Sequence, residues 1–168
     1  MQIPLVSQRL VVPDDWIDIN DHMNATHYGL VIYNAHVRFT DAIGMGEEYV
    51  RRHRCGKAVI ESHMIYEREV GRGEELEVHS WLLSVDERKL HFFHELYNLT
   101  RGERAATAEQ LDIHVDLIRR RACPLPDAVL RRLQALVAAT RQLPLPDKVG
   151  RTLRPPENGW LTGNGSAL

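Results

Sequence analysis

Apolar and polar positions change their spacing twice along this chain. From Leu5 to Val12 apolar side chains are interrupted by Ser7, Gln8 and Arg9 and closed by Pro13, which reads as a short strand. Tyr28, Ile32, Ala35, Phe39, Ala42 and Ile43 then recur at helical spacing, so one face of a helix over 28–43 is apolar, and Gly44 and Gly46 stop it. Beyond that the period falls to two. Leu90, Phe92, His94 and Leu96 alternate with His91, Phe93, Glu95 and Tyr97, and Leu111, Ile113, Val115 and Leu117 alternate with Asp112, His114 and Asp116. Turn signals at Gly71-Arg72-Gly73, Asp86-Glu87-Arg88 and Arg101-Gly102-Glu103 separate strands near 58–70, 74–86, 89–101 and 104–120, expected to join as hairpins. A second amphipathic helix, 128–141, is expected to start from Asp127 as N-cap, to turn Val129, Leu133, Leu136 and Val137 inward, and to end before Pro144 and Pro146.

These elements predict an α+β domain over 1–142: one antiparallel five-stranded sheet with a long helix between its first two strands, the helix at 127–142, and an irregular tail over 143–168. The length, 168 residues, suits one domain. Both sheet faces carry bulky groups, so each needs a cover. A single such sheet leaves an exposed edge, and the economical solution is at least a homodimer, with a tetramer also open.

Charge and composition exclude several classes. Lys and Arg number 21 against 23 Asp and Glu, with no concentrated basic segment, so nucleic acid is not an expected partner. With 43% hydrophobic and 26% charged residues and no apolar run of about 18, neither disorder nor a membrane span is expected. Cys55 and Cys123 allow at most one bridge, and the N-terminal stretch does not read as a secretory signal, so a reducing, cytoplasmic setting is expected. His91 and His94, like His22 and His27, lack the companions of a metal-ligand motif; no metal and no cofactor are expected.

Candidate chemistry sits between Trp16 and Asn24. Asp18, Asn20, Asp21, His22 and Asn24 crowd directly before the helix, whose first N–H groups and dipole favour negative charge. Asp and Asn in such places are most often caps. The segment resembles, however, the active-site stretch of hotdog-fold acyl-CoA thioesterases of the 4-hydroxybenzoyl-CoA thioesterase type, in which an Asp, a His and an Asn precede a helix tyrosine ten positions after the Asp. Asp18 and Tyr28 keep that separation, and His22 and Asn24 take the matching places. Glu61 to Tyr66, Lys89 to Glu95, and Ala105 to Gln110 through His114-Val115-Asp116 extend the likeness over about residues 5–125, toward the thioesterases of bacterial carnitine catabolism. Two positions depart from the pattern: Asp21 stands where most relatives have Gly, and Trp16 where many have a second Asp.

The resemblance implies a hotdog fold, an acyl-CoA substrate with betainyl-CoA favoured, and roles for named residues. Asp18 would act as general base or nucleophile, the backbone N–H of Ala25 would hold the oxyanion, Asn24 would orient carbonyl or water, and His22 would hold the loop. Trp16, Tyr28, Tyr33 and Phe39 are cage candidates for a trimethylammonium group. Glu61 and His63 from a facing subunit would complete the acyl pocket, and Arg68, Arg72, Arg119, Arg120 and Arg121 are available for CoA phosphates. A non-catalytic acyl-CoA-binding module, or a thioesterase for another short-chain or aryl acyl group, remain open alternatives.

Overall fold

A computed structural model describes residues 4–152; the expected tail beyond 152 lies outside the described residues. Strand β1 (Leu5–Val11) leads through a short 3-10 turn at Asp14–Trp16 to helix α1 (Ala25–Ala42) and then α2 (Glu47–His53). Strands β2 (Cys55–Tyr66), β3 (Glu75–Val85), β4 (Lys89–Asn98), β5 (Glu103–Asp116) and the two-residue β6 (Arg121–Ala122) follow, and α3 (Asp127–Thr140) closes the described elements.

The long helix is set by its own sequence. Val31, Ile32, Ala35, His36 and Phe39 form the buried stripe of α1, which lies against β1, β3 and β4. Phe39 meets Phe92 edge to face, with centroids 6.1 Å apart. No helix among the described residues is long and apolar enough to cross a membrane.

Sheet order corrects one expectation. The strands run β1-β3-β4-β5-β2, all neighbours antiparallel, with β6 beside the end of β5. The β3–β4–β5 meander is hairpin-linked as expected. Strand β2 is not paired with β3; it lies at the far edge against β5, from Cys55↔Asp116 to Tyr66↔Ala106. Turn residues mark where a chain reverses and carry no information about which strand it next pairs with. Two smaller corrections concern helix ends. Pro126 occupies the N-cap of α3, so Asp127 is its first helical residue and acts on the helix dipole rather than as cap. Helix α2 escaped the sequence reading because seven residues make too few turns to show a period, although Glu47 and Glu48 at its start and Arg51 to His53 at its end suit its dipole.

Period-two alternation sorts the side chains between two faces. His94 and Asp112 point to α1, so Glu95 and Glu109 point away from it. On that outer side, Leu143 to Pro146 lie beside Trp81 and Leu83, Asp147 pairs with Arg104, and Gly150 N–H donates to Glu109 at 2.7 Å. The described part of the tail is therefore irregular yet docked. Val59 and Ile60 on edge strand β2 are 47% and 50% exposed, and Leu30, Tyr33 and Val37 form a second exposed apolar row on α1.

Candidate active site

The loop before α1 folds as a miniature hairpin. Ile17 bridges Met23 in antiparallel fashion, Asp18 N–H donates to His22 O at 3.0 Å, and Asp21 N–H donates to Asp18 O at 3.0 Å. The turn needs a left-handed residue, and Asp21 supplies it with φ 61°, so the substitution of Asp for Gly preserves the bend. Met23 is buried beneath the loop and its N–H donates to Val70 O at 2.7 Å, anchoring the loop to the β2–β3 connection. Arg72 Nη2 lies 2.9 Å from Asp21 Oδ1 and Nη1 lies 3.9 Å from Asp14. In this position it braces the turn while its side chain stays 58% exposed.

Asp18 is held facing the helix mouth. Oδ1 accepts from Asn20 N–H at 2.8 Å, Oδ2 accepts from Asn24 Nδ2 at 3.4 Å, and the side chain is 22% exposed. Asn24 is the N-cap of α1: its Oδ1 accepts from Thr26 N–H at 3.0 Å. The N–H of Ala25, first residue of the helix, has no intrahelical acceptor by position. His22 Nδ1 lies 3.9 Å from Asp18 Oδ1 and 3.4 Å from Met23 O, a position that steadies the loop.

A cleft of about 300 Å³ opens beside this helix end, lined by His22, Met23, Ala25, Tyr28, Tyr66 and the Glu67-Arg68-Glu69 run. Asp18 does not itself line the cleft; it lies 3.9 Å from His22, which does. Tyr28 donates its hydroxyl to Arg68 O at 3.1 Å and meets Tyr66 edge-on at 5.3 Å. Burial pushes the Tyr28 hydroxyl up to about 12, so it remains a proton donor at neutral pH.

Other expected residues lie elsewhere. Trp16 stacks flat on His27 at 4.6 Å, which occupies one face of its ring. Phe39 is fully buried against Phe92 and cannot belong to a cage. Tyr33 is exposed on the outer row of α1. Glu61 and His63 line a separate cleft of about 340 Å³ with His91 and Glu109, on the sheet face away from α1, so within one chain they do not meet Asp18. Arg119 to Arg121 sit where β5 turns into β6, at the Cys55 end of β2, while Tyr66 and the cleft are at its other end. The sequence reading missed Tyr66, Glu67 and Glu69 as cleft walls; Tyr66 closes the Glu61 to Tyr66 block, and nothing local ties it to Asp18.

The chain is similar to known proteins. The Thioesterase-like superfamily profile matches residues 11–133. A betainyl-CoA thioesterase of Pseudomonas aeruginosa is 35% identical over 153 residues, covering 89% of this chain and 94% of that protein. An L-carnitine dehydrogenase/betainyl-CoA thioesterase of Rhizobium sp. is 37% identical over 136 residues, 81% of this chain and only 27% of that longer protein. A Staphylococcus aureus protein solved in complex with CoA superposes with a TM-score of 0.81 over 93% of this chain and 99% of its own; at 20% identity this shows a shared fold.

Proposed function

Because this chain belongs to the thioesterase-like superfamily, we propose that it is an acyl-CoA thioesterase that hydrolyses betainyl-CoA to glycine betaine and free CoA. The observation that carries the reading is the Asp18 carboxylate, tied through Asn24 to the same helix end that offers the Ala25 N–H.

Thioester hydrolysis adds water's oxygen to the carbonyl carbon, breaks the C–S bond and leaves the thiol with a proton. Asp18 serves as general base toward the water or as the nucleophile itself. By either route negative charge grows on the carbonyl oxygen, and the Ala25 N–H at the positive end of α1 takes it in this reading; one such donor is worth about 2.7–4 kcal/mol. Asn24 holds Asp18 in line, and His22 supports the loop.

The cationic acyl group fits the cleft chemistry. Tyr66 presents a 54%-exposed ring there, and Glu69 adds a carboxylate, that of Glu67 being paired with Arg104. An aromatic face attracts a quaternary ammonium by about 0.5–2 kcal/mol. Arg68 stands exposed at the same cleft, where a CoA phosphate needs a cation. The exposed β2 edge and the Leu30, Tyr33, Val37 row are the surfaces through which two copies would pair, one isologous patch serving both.

The deciding experiment measures thiol release from betainyl-CoA against straight short-chain, long-chain and aryl acyl-CoAs, with Asp18→Asn as control. Betainyl-CoA is expected to give the highest kcat/KM. Faster turnover of an aryl or neutral short-chain thioester would replace the substrate and keep the reaction class, whereas undiminished release by Asp18→Asn would remove Asp18 from the chemistry.

A further inference from the structure

Three metal-philic donors converge at the end of the sheet opposite the cleft. Cys55 opens β2, His114 lies on β5, and Cys123 follows β6. The ladders bring them together: Cys55 pairs with Asp116, Ala122 pairs with Val115, and Cys123 N–H donates to His114 O at 3.0 Å. The two Sγ atoms are 4.0 Å apart, Cys123 Sγ is 3.3 Å from His114 Nδ1, and all three donor atoms lie within 4.8 Å of one another.

Those separations fit a metal better than a bond between the sulfurs. Tetrahedral zinc, with Zn–S about 2.3 Å and Zn–N about 2.0–2.1 Å, requires S···S of about 3.8 Å and S···N of about 3.5 Å. The Sγ···Sγ and Cys123 Sγ···Nδ1 separations already stand within a few tenths of an ångström of this, and Cys55 Sγ lies within 4.8 Å of His114, whereas a disulfide closes to about 2.05 Å. The other ring nitrogen is also provided for. His114 Nε2 lies 2.8 Å from the Tyr49 hydroxyl, whose oxygen can accept a hydrogen bond from Nε2–H and so leave the Nδ1 lone pair for a cation. Without a cation Nδ1 is 3.0 Å from Cys123 O, the opposite tautomer. His114 is fully buried and the two cysteines are half-buried, so one approach remains open to solvent.

We propose that Cys55, His114 and Cys123 form a site for a thiophilic divalent cation of the zinc class, with solvent as fourth ligand. Binding releases two protons, one from each thiol, and involves no change of oxidation state. The cation joins the start of β2, the end of β5 and the strand after the Arg119 to Arg121 turn, so its role is to clasp that corner of the sheet. Because each thiol must lose its proton on binding, affinity falls as pH drops.

Cobalt(II) tests the site directly. The reduced, metal-free full-length chain is titrated with Co²⁺ and followed by absorption. A thiolate-to-cobalt charge-transfer band with the visible bands of tetrahedral cobalt is expected to saturate at one ion per chain and to vanish on adding Zn²⁺. Cys55→Ser and Cys123→Ser should each lose the charge-transfer band, and Tyr49→Phe should weaken binding by about 10- to 100-fold. The titration of the unaltered chain decides the matter even if a variant fails to fold: no charge-transfer band overturns the proposal. So does an unchanged band in folded Cys55→Ser, or isolation of the two cysteines as a disulfide.

Discussion

Asn24 joins the helix cap to the Asp18 carboxylate: one end of its amide donates to Asp18 Oδ2 at 3.4 Å while the other accepts from Thr26 N–H at 3.0 Å. On the proposed mechanism, stability and chemistry both run through this one side chain, and substitutions separate them. Asn24→Asp keeps an acceptor for Thr26 and should leave the unfolding midpoint nearly unchanged, because Asn and Asp cap equally well. It loses the donor to Asp18 and sets a second carboxylate there, so thiol release should fall at least tenfold, an order-of-magnitude figure for one lost charge-assisted hydrogen bond. Asn24→Ala should lose activity and also about 1 kcal/mol of stability in urea unfolding. Full activity in Asn24→Asp would show that Asp18 needs no support from it.

Asp18→Asn is expected to lower kcat by about 10²- to 10⁴-fold, the usual weight of a positioned proton acceptor, with unfolding behaviour preserved. Steady-state thiol release beside a thermal melt checks both halves.

Tyr66→Leu removes the exposed aromatic face from the cleft. Discrimination between betainyl-CoA and a neutral acyl-CoA of similar size should shrink by about 2- to 30-fold in kcat/KM, the range set by a cation on one ring. An equal loss for both substrates would mean that Tyr66 only shapes the cleft.

Beneath α1 a polar chain crosses the core. Lys57 Nζ lies 3.0 Å from Asp112 Oδ2, which lies 3.0 Å from His36 Nε2; His36 Nδ1 is 3.2 Å from His94 Nε2, and His94 Nδ1 is 2.7 Å from Ser80 Oγ. Burial holds both histidines below 6.5, His94 far below; Lys57 adds to this and Asp112 opposes it. The unfolded chain takes up these protons near pH 6.5 while the folded chain refuses them, so stability is complete above that value and declines as pH falls below it. Burial works against the Asp112 charge, but the His36 hydrogen bond and the Lys57 ammonium outweigh it and hold the carboxyl below 3.8, which adds a further loss in stronger acid. The urea midpoint should drop between about pH 7.5 and about pH 5.5, and His94→Gln should flatten that slope. Parallel slopes would exclude His94 as a contributor. Asp112→Ala strands the Lys57 ammonium and should cost about 3–5 kcal/mol.

Ile60→Lys places a charge on the exposed edge of β2, a device that blocks strand pairing. Light scattering is expected to find two chains together in the unaltered protein and one in the variant. A dimer that survives the change would move the interface away from β2.

Helix 28–43 and the β3–β5 meander were readable because amphipathic spacing and turn residues act over a few neighbours, and they appear as α1 and three hairpin-linked strands. The candidate loop stands out through its resemblance to a family's active-site stretch, because its spacing alone fits a helix cap equally well. Asp18, His22, Asn24 and Ala25 lie within eight consecutive positions, so short-range backbone geometry and one cap assemble them. Pairings across the sheet were not readable. Strand β2 shows its alternation but not its partner, and its seat beside β5 is what brings Tyr66 to Tyr28, Lys57 to Asp112, and Cys55 to Cys123. Local dihedral preferences are written residue by residue, whereas a ladder partner is chosen by which strand can cover α1 and share hydrogen bonds, a choice that exists only once the whole sheet has closed around the helix.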